Sequence, residues 1–557
     1  MHPSSLAKRG TVLLFLVIAA FYFYGLGHLP FVGPDEPRYA QVAREMFQRH
    51  DLITPTLGGH NWFEKPALLY WMMIASFKLF GVSEWAARLP AALSGLFTIA
   101  AVYCIGTRIE HDAVERLQGY SFWLTVASAT TVGTVVFSRA ASFDIILTMT
   151  TTWALAFYLL HEVDVGAKRR LAFLFGFYAF VGLSLLAKGL VGIVIPIGVV
   201  TLYHLFRRRL PEHRTFISLV WGIPLTLVVA STWYAAIISR HGWSFIDQFF
   251  IQHHFARYVS NKYHHWRPVY FYLFVIPLLA LPWTAFLLDG ILHAGEWLNR
   301  AGIPVRDRSL NMLNRLLMFA LAWFLFPLLF FSFGNSKLPG YILPVLPAAA
   351  LIIGERLWRL NSEYTNSHWT VRTTASLCLL FAIGAPVYAW LTKDLSIGCA
   401  FLIAAPLSVA GAFALLSRHK PVASVLAIGG ATFTVLIVAL RCAAPGAAEL
   451  ESSKRLLQLA DARGYSGSVI YGMQRSDRTP EFYAAGRVIY GADGEPMMYE
   501  GPLQVVAESQ RRAEAVLVFV PLEQLSQLTG MASAQADVIG SNGRYAIVAV
   551  RYEKRVP

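Results

Sequence analysis

Long apolar runs recur along the chain as far as residue 441, broken by short polar segments. Thirteen of them, at 11–29, 87–107, 118–137, 143–161, 170–187, 189–206, 216–238, 269–289, 316–333, 341–357, 371–391, 397–416 and 422–441, approach the length of about 20 residues that an α-helix needs to cross a bilayer. A fourteenth, 67–80, is shorter and carries Lys78. Beyond residue 444 the long runs stop. Short β-type segments at 468–471, 487–490, 515–520 and 545–551 take their place, with helical patterns such as 450–462 between them. The pattern predicts a polytopic all-α membrane protein. A transmembrane domain over 1–444 holds about thirteen spanning helices, and a small soluble α/β domain occupies 445–557.

Charge supplies the orientation. The chain is 56% hydrophobic and 14% charged, well below the charged share of about 25% in soluble domains. Its net charge of +14 comes from basic residues scattered through the loops. That distribution orients a membrane protein and does not imply a nucleic-acid partner. If the amino terminus is cytoplasmic and 67–80 does not cross, one side collects Lys8, Arg9, Arg108, Lys168 to Arg170, Arg207 to Arg209, Arg315, Arg356, Arg372 and Lys420. If 67–80 crossed, every later loop would change sides and the bias would break. The segment is therefore expected to lie at the interface, within a first outward loop over 30–86. That loop and the carboxyl-terminal domain face outward. The first apolar run is too long for a cleaved leader and reads as a retained helix. The four cysteines fall in or beside apolar runs without metal-type spacing and read as packing residues.

The outward loops carry the candidate chemistry. The first contains GPDEPRYAQVAREMFQ, with Asp35, Glu36 and Arg38 at the head of an amphipathic helix whose apolar side is Tyr39, Val42, Met46 and Phe47. It closes with Glu64-Lys65-Pro66. Later outward segments are SRAASFD, ending at Asp144, and LAKG with Lys188. A long loop over 239–268 contains His253, His254, Arg257, His264 and His265, and GNSKLPGYILPVLP contains Lys337 and Tyr341. Charges at a membrane boundary are costly without a partner. Basic residues kept on this side, against the orientation bias, point to an anionic ligand.

The order of these motifs resembles the C-type glycosyltransferases, polytopic enzymes that use polyprenyl-phosphate sugars. PDEPRYAQVAREM is similar to the acidic motif of that superfamily. WFEKPALLYW, SRAASFD, LAKG and SKLPGYILPVLP are similar to successive motifs of its protein-mannosyltransferase-like branch. The resemblance covers residues 11–350 and is greatest to the bacterial aminoarabinose transferases that modify lipid A. Ala140-Ala141-Ser142 departs from it, where a bulkier apolar residue is expected.

The resemblance implies transfer of 4-amino-4-deoxy-L-arabinose from undecaprenyl phosphate to a lipid A phosphate, at the periplasmic face of the bacterial inner membrane, with resistance to polymyxin and cationic peptides. Other acceptors within the class are a protein hydroxyl or another glycan. Such a site must hold the leaving phosphate, for which Arg38, Lys65, Arg257, Lys337 and Tyr341 are the candidates. Asp35 is the candidate catalytic carboxylate, as base, acceptor guide or partner of the sugar amine, and Asp144 is the second. Both also suit helix caps. Glu36, Glu64 and Lys188 are expected to line the site. No cofactor is required by this reading. Glu64 with His254 and His265 offers a possible zinc set, though adjacent histidines in a loop have no fixed ligand geometry. A lipid or sugar transporter is the rival class. It predicts inverted repeats and ionisable groups at midplane, whereas the chain has no repeat and its charges gather on one face.

Overall fold

In lipid, the backbone of an apolar run has no hydrogen-bonding partner but itself, so such runs form helices. Nine helices among the described residues are long and apolar enough to cross a membrane, from Glu84–His111 to Pro421–Glu451. The structure is a computed structural model that describes residues 3–112, 117–164, 166–256, 267–299, 308–361, 368–417, 420–474, 477–484, 486–531 and 533–553. The nine answer to nine of the thirteen predicted spans. The other four are shorter or broken. Pro3–Phe23 ends early, and Val191–Arg207 has 17 residues. The run at 118–137 breaks at Thr131, which takes extended angles between Tyr120–Thr130 and Val132–Phe137. The run at 269–289 divides into Phe271–Leu279 and Thr284–Leu292. The two breaks satisfy each other: Val132 N donates to Leu281 O at 2.9 Å, and Trp283 Nε1 donates to Thr130 Oγ1 at 2.7 Å. Apolarity alone does not reveal such a break, because both halves remain buried in lipid or protein. The 67–80 segment forms the helix Leu68–Phe80, with 13 residues.

The chain divides into two units. One comprises Met1–Tyr24, Phe63–Leu69 and Arg88–Ala439; the other comprises Gly25–Trp62, Tyr70–Ala87 and Leu440–Pro557. In the first, the consecutive helices Phe143–Val163 and Ala167–Lys188 pack side by side. The turn after Lys188 is tight enough that Gly189 has φ of +70°, and a Cβ on Gly192 would stand 2.2 Å from Ser184 O. Several buried charges in this unit are paired, as low dielectric favours. Arg207 Nη1 meets Glu162 Oε2 at 2.6 Å, Arg108 Nη2 meets Asp164 Oδ2 at 2.6 Å, and Arg356 bonds Asp289.

The second unit has a five-stranded sheet in the order Met498–Tyr499, Ile470–Met473, Val516–Pro521, Tyr545–Tyr552, Ala534–Ser541. The first three strands are parallel and the last two pair antiparallel. Side chains alternate across it. Val516, Val518 and Val520 pack with Val505 and Val506, while Leu517 and Phe519 pack with Leu456 and Leu457. The sheet therefore has helices Pro502–Arg512 and Lys454–Ala462 on opposite faces. The predicted 487–490 strand is reduced to isolated bridges at Val488 and Tyr490. The strand at 534–541 was not anticipated; its burial alternates weakly, as on a sheet edge.

Much of the first outward loop is built into this unit. Arg44 Nη2 donates to Phe482 O at 2.7 Å, and the guanidinium lies 4.5 Å from the Phe482 ring centroid. Phe31 N donates to Tyr483 Oη at 2.6 Å, and Tyr483 Oη donates to Glu84 Oε1 at 3.1 Å. Burial pushes the Arg44 guanidinium down to about 10. Cys399 and Cys442 are disulfide-bonded, which corrects the reading of all four cysteines as packing thiols. Cys104 and Cys378 are free.

Candidate functional site

Asp144 lies in the first turn of Phe143–Val163. Its backbone N–H is capped by Ser142 Oγ at 3.1 Å, so Asp144 is not itself the cap. Lys188 is the last residue of Ala167–Lys188. An acid at a helix start and a base at a helix end each suit the local dipole. Because the helices are consecutive and packed together, those two ends coincide, and Lys188 Nζ forms an ion pair with Asp144 Oδ1. Lys188 Nζ also lies 4.4 Å from the ring centroid of Tyr341, a cation–π distance. Tyr341 stands in the 3-10 turn Pro339–Val345. The turn approaches Asp144 through Gly340, where a Cβ would stand 2.2 Å from Asp144 Oδ2.

Lys188 and Tyr341 border a cavity of about 110 Å³, with Glu64, Lys65, His253 and Ser336 also in its lining. Phe330, Phe331 and Val191 give it an apolar wall. Glu64 and Lys65 are nearly buried, at 15% and 13% side-chain exposure, with Oε2 and Nζ 4.0 Å apart. That separation makes an ion pair without a hydrogen bond. The cavity thus joins two ammonium groups, one of them beside the Glu64 carboxylate, with a histidine, two hydroxyl-bearing residues and an apolar flank, a composition suited to a phosphate carrying a hydrocarbon chain.

Lys337 does not take the predicted place beside phosphate. Its Nζ donates to Gly334 O at 2.6 Å and Arg267 O at 2.8 Å, and the residue is 4% exposed. Burial pushes its ammonium down from the ordinary range. Lys337 holds the loop rather than the ligand, because two orphan carbonyls claim its donors. Leu338 O is likewise satisfied, by Tyr272 Oη at 3.1 Å. Ser336, its neighbour, was missed in the sequence. Its Oγ is buried without a hydrogen-bond partner among the described residues, in the cavity lining. A serine in a Pro-rich loop carries no signal of its own.

Asp35, Glu36 and Arg38 belong to the second unit. Asp35 opens the helix Asp35–Gln48 after the cap residue Pro34, with no side-chain cap bond. Its carboxylate meets Arg38 Nη2 at 2.9 Å and is half exposed. Arg38 also donates to Pro34 O at 2.9 Å and lies 5.4 Å from the Trp62 ring centroid. Glu36 is buried and accepts from Val32 N at 3.5 Å. Arg257 and His265 lie outside the described residues, as does the side chain of His254. For a metal, Glu64 Oε1 stands 3.7 Å from His253 Nδ1, two of the four ligands that zinc takes. Among the described residues no third His, Cys, Asp or Glu completes such a set.

Residues 64–235 match the family described as dolichyl-phosphate-mannose-protein mannosyltransferase, a stretch that contains Glu64, Lys65, Asp144 and Lys188. The chain is 28% identical over 361 residues to the undecaprenyl phosphate-alpha-4-amino-4-deoxy-L-arabinose arabinosyl transferase of Pseudomonas aeruginosa, covering 63% of this chain and 60% of that protein. It is 27% identical over 525 residues to the protein of the same name in Pectobacterium atrosepticum, covering 88% of each. Several of these matches span only about three-fifths of the relative's length. The crystal structure of ArnT from Cupriavidus metallidurans bound to undecaprenyl phosphate superposes with a TM-score of 0.78 at 24% identity, over 97% of this chain and 98% of that one. The fold therefore extends through both units of the chain.

Proposed function

We propose that this chain, a glycosyltransferase of the C type, transfers 4-amino-4-deoxy-L-arabinose from undecaprenyl phosphate to a phosphate of lipid A, at the outer face of the inner membrane. The observation that carries the reading is the cavity in which Lys65, Lys188, Tyr341 and Ser336 meet against Phe330 and Phe331. It suits a polyprenyl phosphate: cations and hydroxyls for the head, aromatic wall for the first isoprene units. The names of the relatives supply the sugar.

In the reaction the bond from the sugar C1 to the donor phosphate oxygen breaks, and its electron pair leaves on undecaprenyl phosphate. An oxygen of the acceptor phosphate forms the new bond to C1. Charge grows on the departing phosphate, so fixed cations lower the barrier. Lys65 and Lys188 fill that role, with Asp144 holding Lys188 in place. The acceptor is already an anion and needs little deprotonation. Asp35 enters from the motif alone, as a partner for the acceptor or for the sugar amine. The cytoplasmic amino terminus and outward carboxyl-terminal segment rest on loop charge. Adding a cationic sugar lowers the negative charge of lipid A and weakens polymyxin binding.

The test is transfer by the purified protein in detergent, with undecaprenyl-phosphate aminoarabinose as donor and either lipid A or a serine- and threonine-rich peptide as acceptor. The reading requires modified lipid A and free undecaprenyl phosphate in equal amounts. Modified peptide with unmodified lipid A would move the acceptor to protein.

A further inference from the structure

The first unit carries a second and larger cavity, of about 410 Å³. It sits at the other end of the helices that hold the site. Asp144 opens Phe143–Val163 and His161 stands near its close; Lys168 stands at the start of Ala167–Lys188 and Lys188 ends it. The rise from Asp144 to His161 is roughly 25 Å at 1.5 Å per residue, close to the about 30 Å of a hydrocarbon core. The groove therefore opens at the opposite membrane boundary from the site.

Its walls are fastened together. The two ring nitrogens of His161 pair with Arg170 O and Thr215 Oγ1, each at 3.1 Å. Tyr178 Oη and Ser218 Oγ pair at 2.8 Å, so three helices are tied around the groove. Leu171, Leu174, Ile217 and Trp221 line it with apolar surface. Leu171 and Ile217 are more than half exposed. At the rim are Lys168, Arg170 and Arg214. Glu212 is held by Arg170 Nη2 at 2.7 Å and also feels the charge of Arg214. Lys168 and Arg214 form no ion pair among the described residues. Lys168 and Arg214, neither held in a close ion pair among the described residues, stand over an apolar slot containing a tryptophan, which matches a lipid with a phosphate head.

We propose that this groove binds the headgroup of an anionic phospholipid of that leaflet, its phosphate between Lys168 and Arg214 and its acyl chains along Leu171, Ile217 and Trp221. A headgroup that carries its own cation competes with the two rim cations and binds more weakly. The site is separate from sugar transfer and stands or falls without it.

Native mass spectrometry of the delipidated full-length protein, with phosphatidylglycerol or phosphatidylcholine added at equal concentration, tests this. Retained phosphatidylglycerol should exceed phosphatidylcholine at least threefold. The preference should vanish in Lys168→Gln/Arg214→Gln and survive in Arg372→Gln/Lys420→Gln, which removes two other loop cations. Equal retention of the two lipids, an unchanged preference in the first variant, or equal loss in the second would overturn the assignment. Displacement of phosphatidylglycerol by millimolar inorganic phosphate would also overturn it, marking a free-phosphate site.

Discussion

Lys188 is held between the carboxylate of Asp144 and the ring of Tyr341, its ammonium paired with Oδ1 of the first and 4.4 Å from the centroid of the second. Removing either charge strands the other in a setting where both side chains are less than one-fifth exposed, and an abandoned charge is costly. Asp144→Asn and Lys188→Met should each lower transfer at least tenfold. The double variant should be no worse than the poorer single. A double-mutant cycle on initial rates checks this; additive losses would mean the pair does not act as a unit.

Gly340→Ala tests the same pair from the backbone side. Its Cβ would stand 2.2 Å from Asp144 Oδ2 and 3.0 Å from Cγ. Either the carboxylate or the turn must shift, which disturbs the pair with Lys188. Activity should fall about as far as in Asp144→Asn while the melting temperature changes little. Full activity with the alanine would show that the approach is not required.

Lys65→Ala and Ser336→Ala should act on donor binding. A charge-assisted hydrogen bond contributes about 1.5–3 kcal/mol and a neutral one about 0.5–1.5 kcal/mol. The donor KM should therefore rise roughly 10- to 150-fold for Lys65→Ala and about 2- to 10-fold for Ser336→Ala. Lys337→Met should behave differently. It leaves the carbonyls of Gly334 and Arg267 without their donor, so lower thermal stability should accompany any loss of activity.

The contrast between Lys337 and Ser336 shows where the sequence could be read and where it could not. The spans were legible because hydropathy persists over a whole helix. The sequence-derived orientation put LAKG and SRAASFD on one side, and the structure brings Lys188 and Asp144 together. The breaks at Thr131 and after Leu279 were hidden, since they bond to each other across the fold. A lysine in SKLPGY looks like a phosphate ligand until the two carbonyls that claim it are seen. The attachment of the first outward loop to the carboxyl-terminal segment, through Arg44 and Phe482, joins residues far apart in the chain and has no local signature.

Glu481 gives the second unit a pH dependence. Its side chain is fully buried, and burial holds its carboxyl up to about 7 against the pull of Arg478. Between about 4.5 and 7 the folded state keeps a proton that the unfolded state has released. Stability therefore falls as pH rises across that window and levels above it. Glu508, held down to about 2 chiefly by Arg511, acts below the window and in the opposite sense. Thermal unfolding at pH 5, 6, 7 and 8 should show a declining midpoint, and Glu481→Gln should flatten it. A decline of the same slope in the variant would place its origin in another group.

The most direct measurement is the mass of lipid A from Gram-negative cells that lack their own aminoarabinose transferase, make the donor lipid, and express this protein. The account predicts lipid A heavier by one aminoarabinose, absent with Lys65→Ala or Asp35→Asn at matched expression. Unmodified lipid A from well-expressed wild-type protein, with donor lipid present in the same extract, would contradict it.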